Sequence, residues 1–188
     1  MSYLEYNTKF VPTGIRKVLY LNWPIIMLLV AVASAGFLML YSVAGGSTRP
    51  WVEPQMQRFA LGMTLMFIVA MVPIWFWRNM AFLAYGGSLV LLLGVEFFGE
   101  VRMGAQRWID IGFMRLQPSE LTKVTLVLFL AAYYDWLPNK KTSHPFWVAL
   151  PVLFILFPTV LVLGQPDLGT ALLLLFGGAS MMFFAGVH

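Results

Sequence analysis

Three short polar segments interrupt an otherwise apolar chain, and their residue types bound the chemistry it can attempt. They are Gly104-Ala105-Gln106-Arg107-Trp108-Ile109-Asp110-Ile111-Gly112, then Gln117-Pro118-Ser119-Glu120-Leu121-Thr122-Lys123, then Gln165-Pro166-Asp167-Leu168-Gly169-Thr170. Glu120 and Lys123 are three residues apart, so on a helix they share a face and can pair. Left unpaired at mid-bilayer, each charge costs about 2.5–3.5 kcal/mol on insertion scales. One reading is a structural pair opening a helix, with Pro118 near the first position and an acid in a first turn favoured by the macrodipole. The other is a charged pair facing an interior cavity. Asp167 precedes a long apolar run, where it can cap a helix, face a cavity as a polar group, or do both. Pro166 is expected to hold Gln165 extended and to separate two helices tightly. The rigid fork of Arg107 suits phosphate oxygens, and Trp108 suits the depth of a lipid headgroup. The plainer alternative is an interfacial Arg-Trp pair. Gln117 and Gln165, which open the second and third segments, complete the candidate cavity residues: Arg107, Trp108, Gln117, Glu120, Lys123, Gln165 and Asp167.

Other chemistries lack their residues. There is no cysteine, so disulfides, thiolate metal sites and thiol catalysis are excluded. His144 and His188 are isolated, without metal-ligand spacing. No cofactor is identified from the sequence, and a divalent-cation requirement stays open. Glu96 and Glu100 end an apolar run and read as solvated, while the Met residues read as packing.

The elements that must position these residues are set by composition. Hydrophobic residues make up 60% and charged residues 11% of the 188-residue chain. A water-soluble domain usually carries about 25% charged residues, and a chain of this length cannot hide so much apolar surface. Lipid is the solvent that fits. The net charge of +4 is spread over the loops, unlike the clustered basic face of a nucleic-acid binder. Six apolar stretches come near the roughly 20 residues a membrane-spanning helix needs: 24–43, 59–77, 80–98, 118–136, 146–163 and 168–187. The sequence therefore predicts an all-α, polytopic transmembrane bundle in one domain, 1–188. Six Trp residues lie at or near the predicted ends, as interfacial anchors do. Ala31-Val32-Ala33 and Ala33-Ser34-Ala35 look like signal-peptidase sites, but they sit inside the first apolar run, which points to a retained helix. If spans alternate, all three polar segments face the same side. With the N-terminus inside, Lys9, Arg16, Lys17, Arg78, Lys140 and Lys141 oppose Arg49, Arg58, Arg102, Arg107 and Arg115. The positive-inside rule leans narrowly toward a cytoplasmic N-terminus.

Taken together, in this order and spacing, the three segments resemble the SEDS family of shape, elongation, division and sporulation proteins. The wording Gln106-Arg107-Trp108-Ile109-Asp110 is most similar to the rod-shape branch. The resemblance runs from the first span to the end of the chain and implies a peptidoglycan glycosyltransferase. Such an enzyme polymerises lipid II, the undecaprenyl-diphosphate-linked disaccharide-peptide, on the outer face of the bacterial cytoplasmic membrane. It implies a class B penicillin-binding protein and elongation-complex membrane proteins as partners, a cytoplasmic N-terminus, and polar segments facing the periplasm. Members of the family usually have about ten spans. Their essential acid lies in a large loop after the seventh, so the resemblance implies that this chain is an N-terminal part. The catalytic residue is then expected beyond His188, and Asp167 is not that acid. Glycosyl transfer needs a base for the acceptor hydroxyl and charge compensation for the departing diphosphate. Arg107 and Lys123 suit the second task, and no residue here convincingly suits the first.

Two other function classes compete. A lipid II flippase or transporter would use a charged pair and broken helices, although no inverted repeat is visible. A non-catalytic membrane scaffold for the cell-wall synthesis complex is the other. Within the family, the cell-division paralogue shares these motifs.

Overall fold

The computed structural model describes residues 14–102, 105–110 and 115–187. They form six α-helices: α1 (Trp23–Val43), α2 (Val52–Met71), α3 (Ile74–Phe98), α4 (Pro118–Trp136), α5 (Pro145–Gly164) and α6 (Leu168–Phe184). A small antiparallel sheet joins α3 to α4, built from β1 (Glu100–Arg102), β2 (Ala105–Asp110) and β3 (Arg115–Leu116) in that spatial order. The chain divides into two compact units, Met1–Pro73 and Ile74–His188.

In the first unit, a short 3-10 helix (Gly14–Tyr20) precedes the α1–α2 pair. Asn22 caps α1 by accepting from the Ile25 N–H at 3.4 Å, and Pro24 occupies its first turn. The helices meet through Phe37 against Phe59 and Trp23 against Phe67. The end of α2 departs from the apolar run 59–77. The helix opens earlier, through the polar turn containing Glu53, and stops at Met71. Pro73 is the reason: it holds Val72 extended (φ −68°, ψ 133°), so the helix cannot continue and α3 starts at Ile74 instead of near residue 80. The carbonyls of Met71 and Val72 each accept from the Lys17 ammonium at 3.1 Å. A cation thus sits where a helix C-terminus leaves carbonyls unpaired.

In the second unit, α3 packs along α4, and α6 packs against both α4 and α5. The core is Tyr85, Leu92, Leu126, Phe129, Leu130, Ile155, Val162, Ala171 and Leu174. Polar side chains in and beside it bond across helix pairs. The Tyr85 hydroxyl donates to the Phe154 carbonyl at 2.5 Å, and Ser88 and Thr125 share a 2.8 Å bond. α5 and α6 approach closely at Gly178, where an added Cβ would lie 2.5 Å from Ile155 Cγ1. Small residues allow this approach in membrane bundles.

Outside this core the helices present their apolar side chains outward. Phe97, Phe98, Phe183 and Phe184 are among many large apolar residues left exposed. An aqueous solvent would make so broad an apolar surface costly, whereas lipid makes it the expected exterior. Among the described residues, α1, α3 and α5 are long and apolar enough to cross a membrane, and α6 is a shorter apolar helix.

Candidate functional site

The second and third polar segments meet the first at one end of the Ile74–His188 unit. β2 carries Arg107 to the junction between α5 and α6, 58 and 59 residues further along the chain. Its Nε donates to the Gln165 carbonyl at 2.8 Å, and its Nη2 donates to the Pro166 carbonyl. These carbonyls follow the C-terminus of α5, where the macrodipole is negative and a guanidinium is favoured. Nη1 stands 3.9 Å from Asp167 Oδ2. One arginine therefore holds the corner between two helices and faces the acid that starts the second.

Asp167 caps α6. Its Oδ1 accepts from the Thr170 N–H at 3.2 Å and its Oδ2 from the Thr170 hydroxyl at 2.9 Å. Oδ2 also faces the Gln117 amide Nε2 at a long 3.4 Å. Pro118 keeps Gln117 extended (φ −105°, ψ 105°). The Gln117 amide also donates to Ser119 Oγ at 3.1 Å. Ser119 and Thr122 are buried in the first turns of α4, and the Thr122 hydroxyl donates to the Pro118 carbonyl. Ser119 and Thr170 were not singled out in the sequence, although the i, i+3 spacing of Asp167 and Thr170 signals their bond.

Gln165 differs from its expected extended geometry, with φ −88° and ψ 25°. Its N–H still donates to the Val162 carbonyl, so it completes the last turn of α5, while its carbonyl turns to Arg107. Its side chain is buried. Glu120 and Lys123 form an ion pair, Nζ lying 2.9 Å from each carboxylate oxygen. These bonds are internal to the first turns of α4. Trp108 follows Arg107 on the strand and so points to the opposite face of β2. Asp110 and Arg115 pair across β2 and β3 at 3.8 Å. Glu96 is exposed. Gly104, Ile111, Gly112 and His188 lie outside the described residues. Among the described residues, no cluster of His, Asp and Glu could hold a metal ion.

The arrangement binds helix ends together with charge and keeps polar groups at one end of a bundle. Among the described residues, each carboxylate of the junction and of α4 is hydrogen-bonded or ion-paired. A multi-pass helical membrane protein with a polar corner of this kind is the class that the fold and the junction define. Residues 18–188 match the FtsW/RodA/SpoVE family model, described as a cell cycle protein, and the chain belongs to that family. It is 32% identical over 171 residues to the peptidoglycan glycosyltransferase MrdB of Escherichia coli K12, covering 89% of this chain and 45% of that protein. It is 36% identical over 134 residues to the probable peptidoglycan glycosyltransferase FtsW of Escherichia coli O6:H1, covering 69% of this chain and 32% of that one. Among solved structures it is similar to the rod shape determining protein RodA of Thermus thermophilus, with TM-score 0.79 and 33% identity. That match covers 89% of this chain and 54% of RodA. A chain in a peptidoglycan synthase complex, solved in a study of coordinated polymerization and crosslinking, matches with TM-score 0.77 and 33% identity. It covers 88% of this chain and 48% of that one. The chain thus spans about half the length of the relatives it matches.

Proposed function

We propose that the protein works as a RodA-like peptidoglycan glycosyltransferase, polymerising lipid II for cell-wall elongation in the bacterial cytoplasmic membrane. The observation that carries this reading is the junction of Arg107, Gln117 and Asp167, contributed by all three polar segments at one end of one helical unit. Relatives named as peptidoglycan glycosyltransferases support the reaction class. The elongation role is supported by the longer alignment with MrdB, 171 residues against 134 for FtsW. In this reading the N-terminus is cytoplasmic and the junction faces the periplasm, where lipid II is consumed. The similarity to a chain of a polymerizing and crosslinking complex supports a class B penicillin-binding protein as partner, with further elongation-complex membrane proteins around it.

The junction then forms part of the cavity wall. Arg107 sets the α5–α6 corner, while Lys123 and the remaining guanidinium N–H groups supply positive potential toward a diphosphate. The base that activates the acceptor hydroxyl lies outside these 188 residues in this reading. Purified residues 1–188 and a full-length relative are each incubated with fluorescent lipid II, and the products are resolved on a gel. Glycan strands are expected only from the full-length protein. Strands from residues 1–188 that vanish on Asp167→Ala would overturn the assignment and make Asp167 the acid or base. Rescue of rod shape, and not of septation, in depleted cells by a full-length protein carrying this half checks the elongation role.

A further inference from the structure

We propose that the Ile74–His188 unit holds an anionic phospholipid in a groove at the end opposite the polar junction, independently of the glycosyltransferase reading. The groove, of about 800 Å³, opens between the start of α3, the end of α4 and the start of α5. That size falls within the range of about 300–1,000 Å³ usual for small-molecule sites. Phe82, Phe129, Trp136, Trp147 and Phe154 form its wall. The rings brace one another: Phe129 lies 4.7 Å from Phe154 and 5.1 Å from Phe82, and Trp136 lies 5.9 Å from Trp147. The wall is thereby preformed, and its chemistry suits an acyl chain.

The polar groups gather at one rim. Arg78 lines the groove and pairs with Asp135 at 2.8 Å, yet its side chain is 58% exposed, which leaves N–H groups directed outward. The Lys141 ammonium sits 5.5 Å from the centre of the Trp147 ring, and Lys140 beside it is exposed. Arg78 is offset by Asp135, and the exposed Lys140 and Lys141, in the short turn that leads into the start of α5, add two further cations on the side of the cleft where Trp147 stands. Trp136, 63% exposed, stands at the same level, as interfacial tryptophans do. In a membrane-spanning chain, the molecule that presents an acyl chain below a headgroup at this depth is a bilayer lipid. The excess of cations selects a negatively charged one, by the rule that basic pockets between transmembrane helices take anionic headgroups. The site is remote from the junction: α3 runs from Ile74 to Phe98, 25 residues, or roughly 37 Å at about 1.5 Å per residue.

The test is native mass spectrometry of the detergent-purified protein, titrated with equal amounts of phosphatidylglycerol and phosphatidylcholine bearing the same acyl chains. Phosphatidylglycerol adducts are expected to dominate about 25-fold, from two uncompensated cations at about fivefold each. Lys140→Gln with Lys141→Gln should therefore remove most of that preference. Arg78→Gln should also reduce it, and the lysine pair, being exposed, keeps the test valid if that variant folds poorly. Leu150→Trp, which fills the groove, should lower retention of both lipids. Arg58→Gln, at an exposed cation in the other unit, should leave the preference unchanged. Equal retention of both lipids, no retained lipid, or an equal loss with Arg58→Gln would each overturn the proposal.

Discussion

Arg107 and Asp167 do complementary work at two helix ends, a cation at a C-terminus and an acid at an N-terminus. Asp167→Ala removes both bonds to Thr170 and should cost about 0.5–2 kcal/mol, the usual range for a lost N-cap. Asp167→Asn keeps an acceptor for the Thr170 N–H and should cost less; thermal melts in detergent would separate the two. Arg107→Lys should destabilise nearly as much as Arg107→Ala, since an ammonium cannot reproduce the fork that reaches two carbonyls. If the lysine variant melts with the wild type, the corner is not held by the fork. For Glu120 and Lys123, removing either partner leaves one charge in a membrane-facing helix. Either single Ala variant should lower the amount of protein in the membrane, and Glu120→Lys with Lys123→Glu should recover part of it. Equal damage from the exchange would favour a direct substrate contact. The Asp167 cap and the Glu120–Lys123 pair were legible in the sequence because their partners lie three residues away. The Arg107 contacts were not, because their partners lie 58 and 59 residues away and only the folded sheet delivers the side chain.

At the scale of elements, hydropathy located the helices but not all of their ends. The run 118–136 coincides with α4, since Pro118 starts it and Pro138 holds Leu137 extended (φ −79°, ψ 127°) at its end. The boundary between α2 and α3 escaped because Pro73 stands inside apolar sequence. A scale that records transfer to lipid is blind to a missing N–H. Likewise α2 begins in a polar turn, because backbone bonding continues where side-chain hydropathy stops. The strands β1–β3 gave no periodic signal, being two to six residues long. The α5–α6 contact makes a sharper claim. Gly178→Ala would bring its Cβ to 2.5 Å from Ile155 Cγ1 and should cost about 1–3 kcal/mol through overpacking. Ile155→Ala alone should cost about 2–5 kcal/mol through the cavity it leaves. The double variant should lose less than the two single losses added, since the new methyl enters the space vacated. Additive losses would mean that the helices separate instead of meeting at this point.

For the whole molecule, the two ends of the Ile74–His188 unit differ in how they hold their charge. One end ties Arg107 to backbone carbonyls and Asp167, and sets Arg115 opposite Asp110. The other carries Lys140 and Lys141 beside an aromatic groove. Counting basic residues barely distinguishes the two sides, but Lys140 and Lys141 are adjacent in the short connection between α4 and α5, where the positive-inside rule counts them. Lys140 and Lys141 should therefore be cytoplasmic and the Arg107 junction extracytoplasmic. The chain has no cysteine, so single cysteines can be introduced against a silent background. In intact spheroplasts, Asp110→Cys should react with a membrane-impermeant thiol reagent, while Lys140→Cys should react only after the membrane is permeabilised. The reverse pattern would invert the orientation. It would put the polar junction on the face away from extracytoplasmic lipid II, and with it remove the main support for a polymerising role.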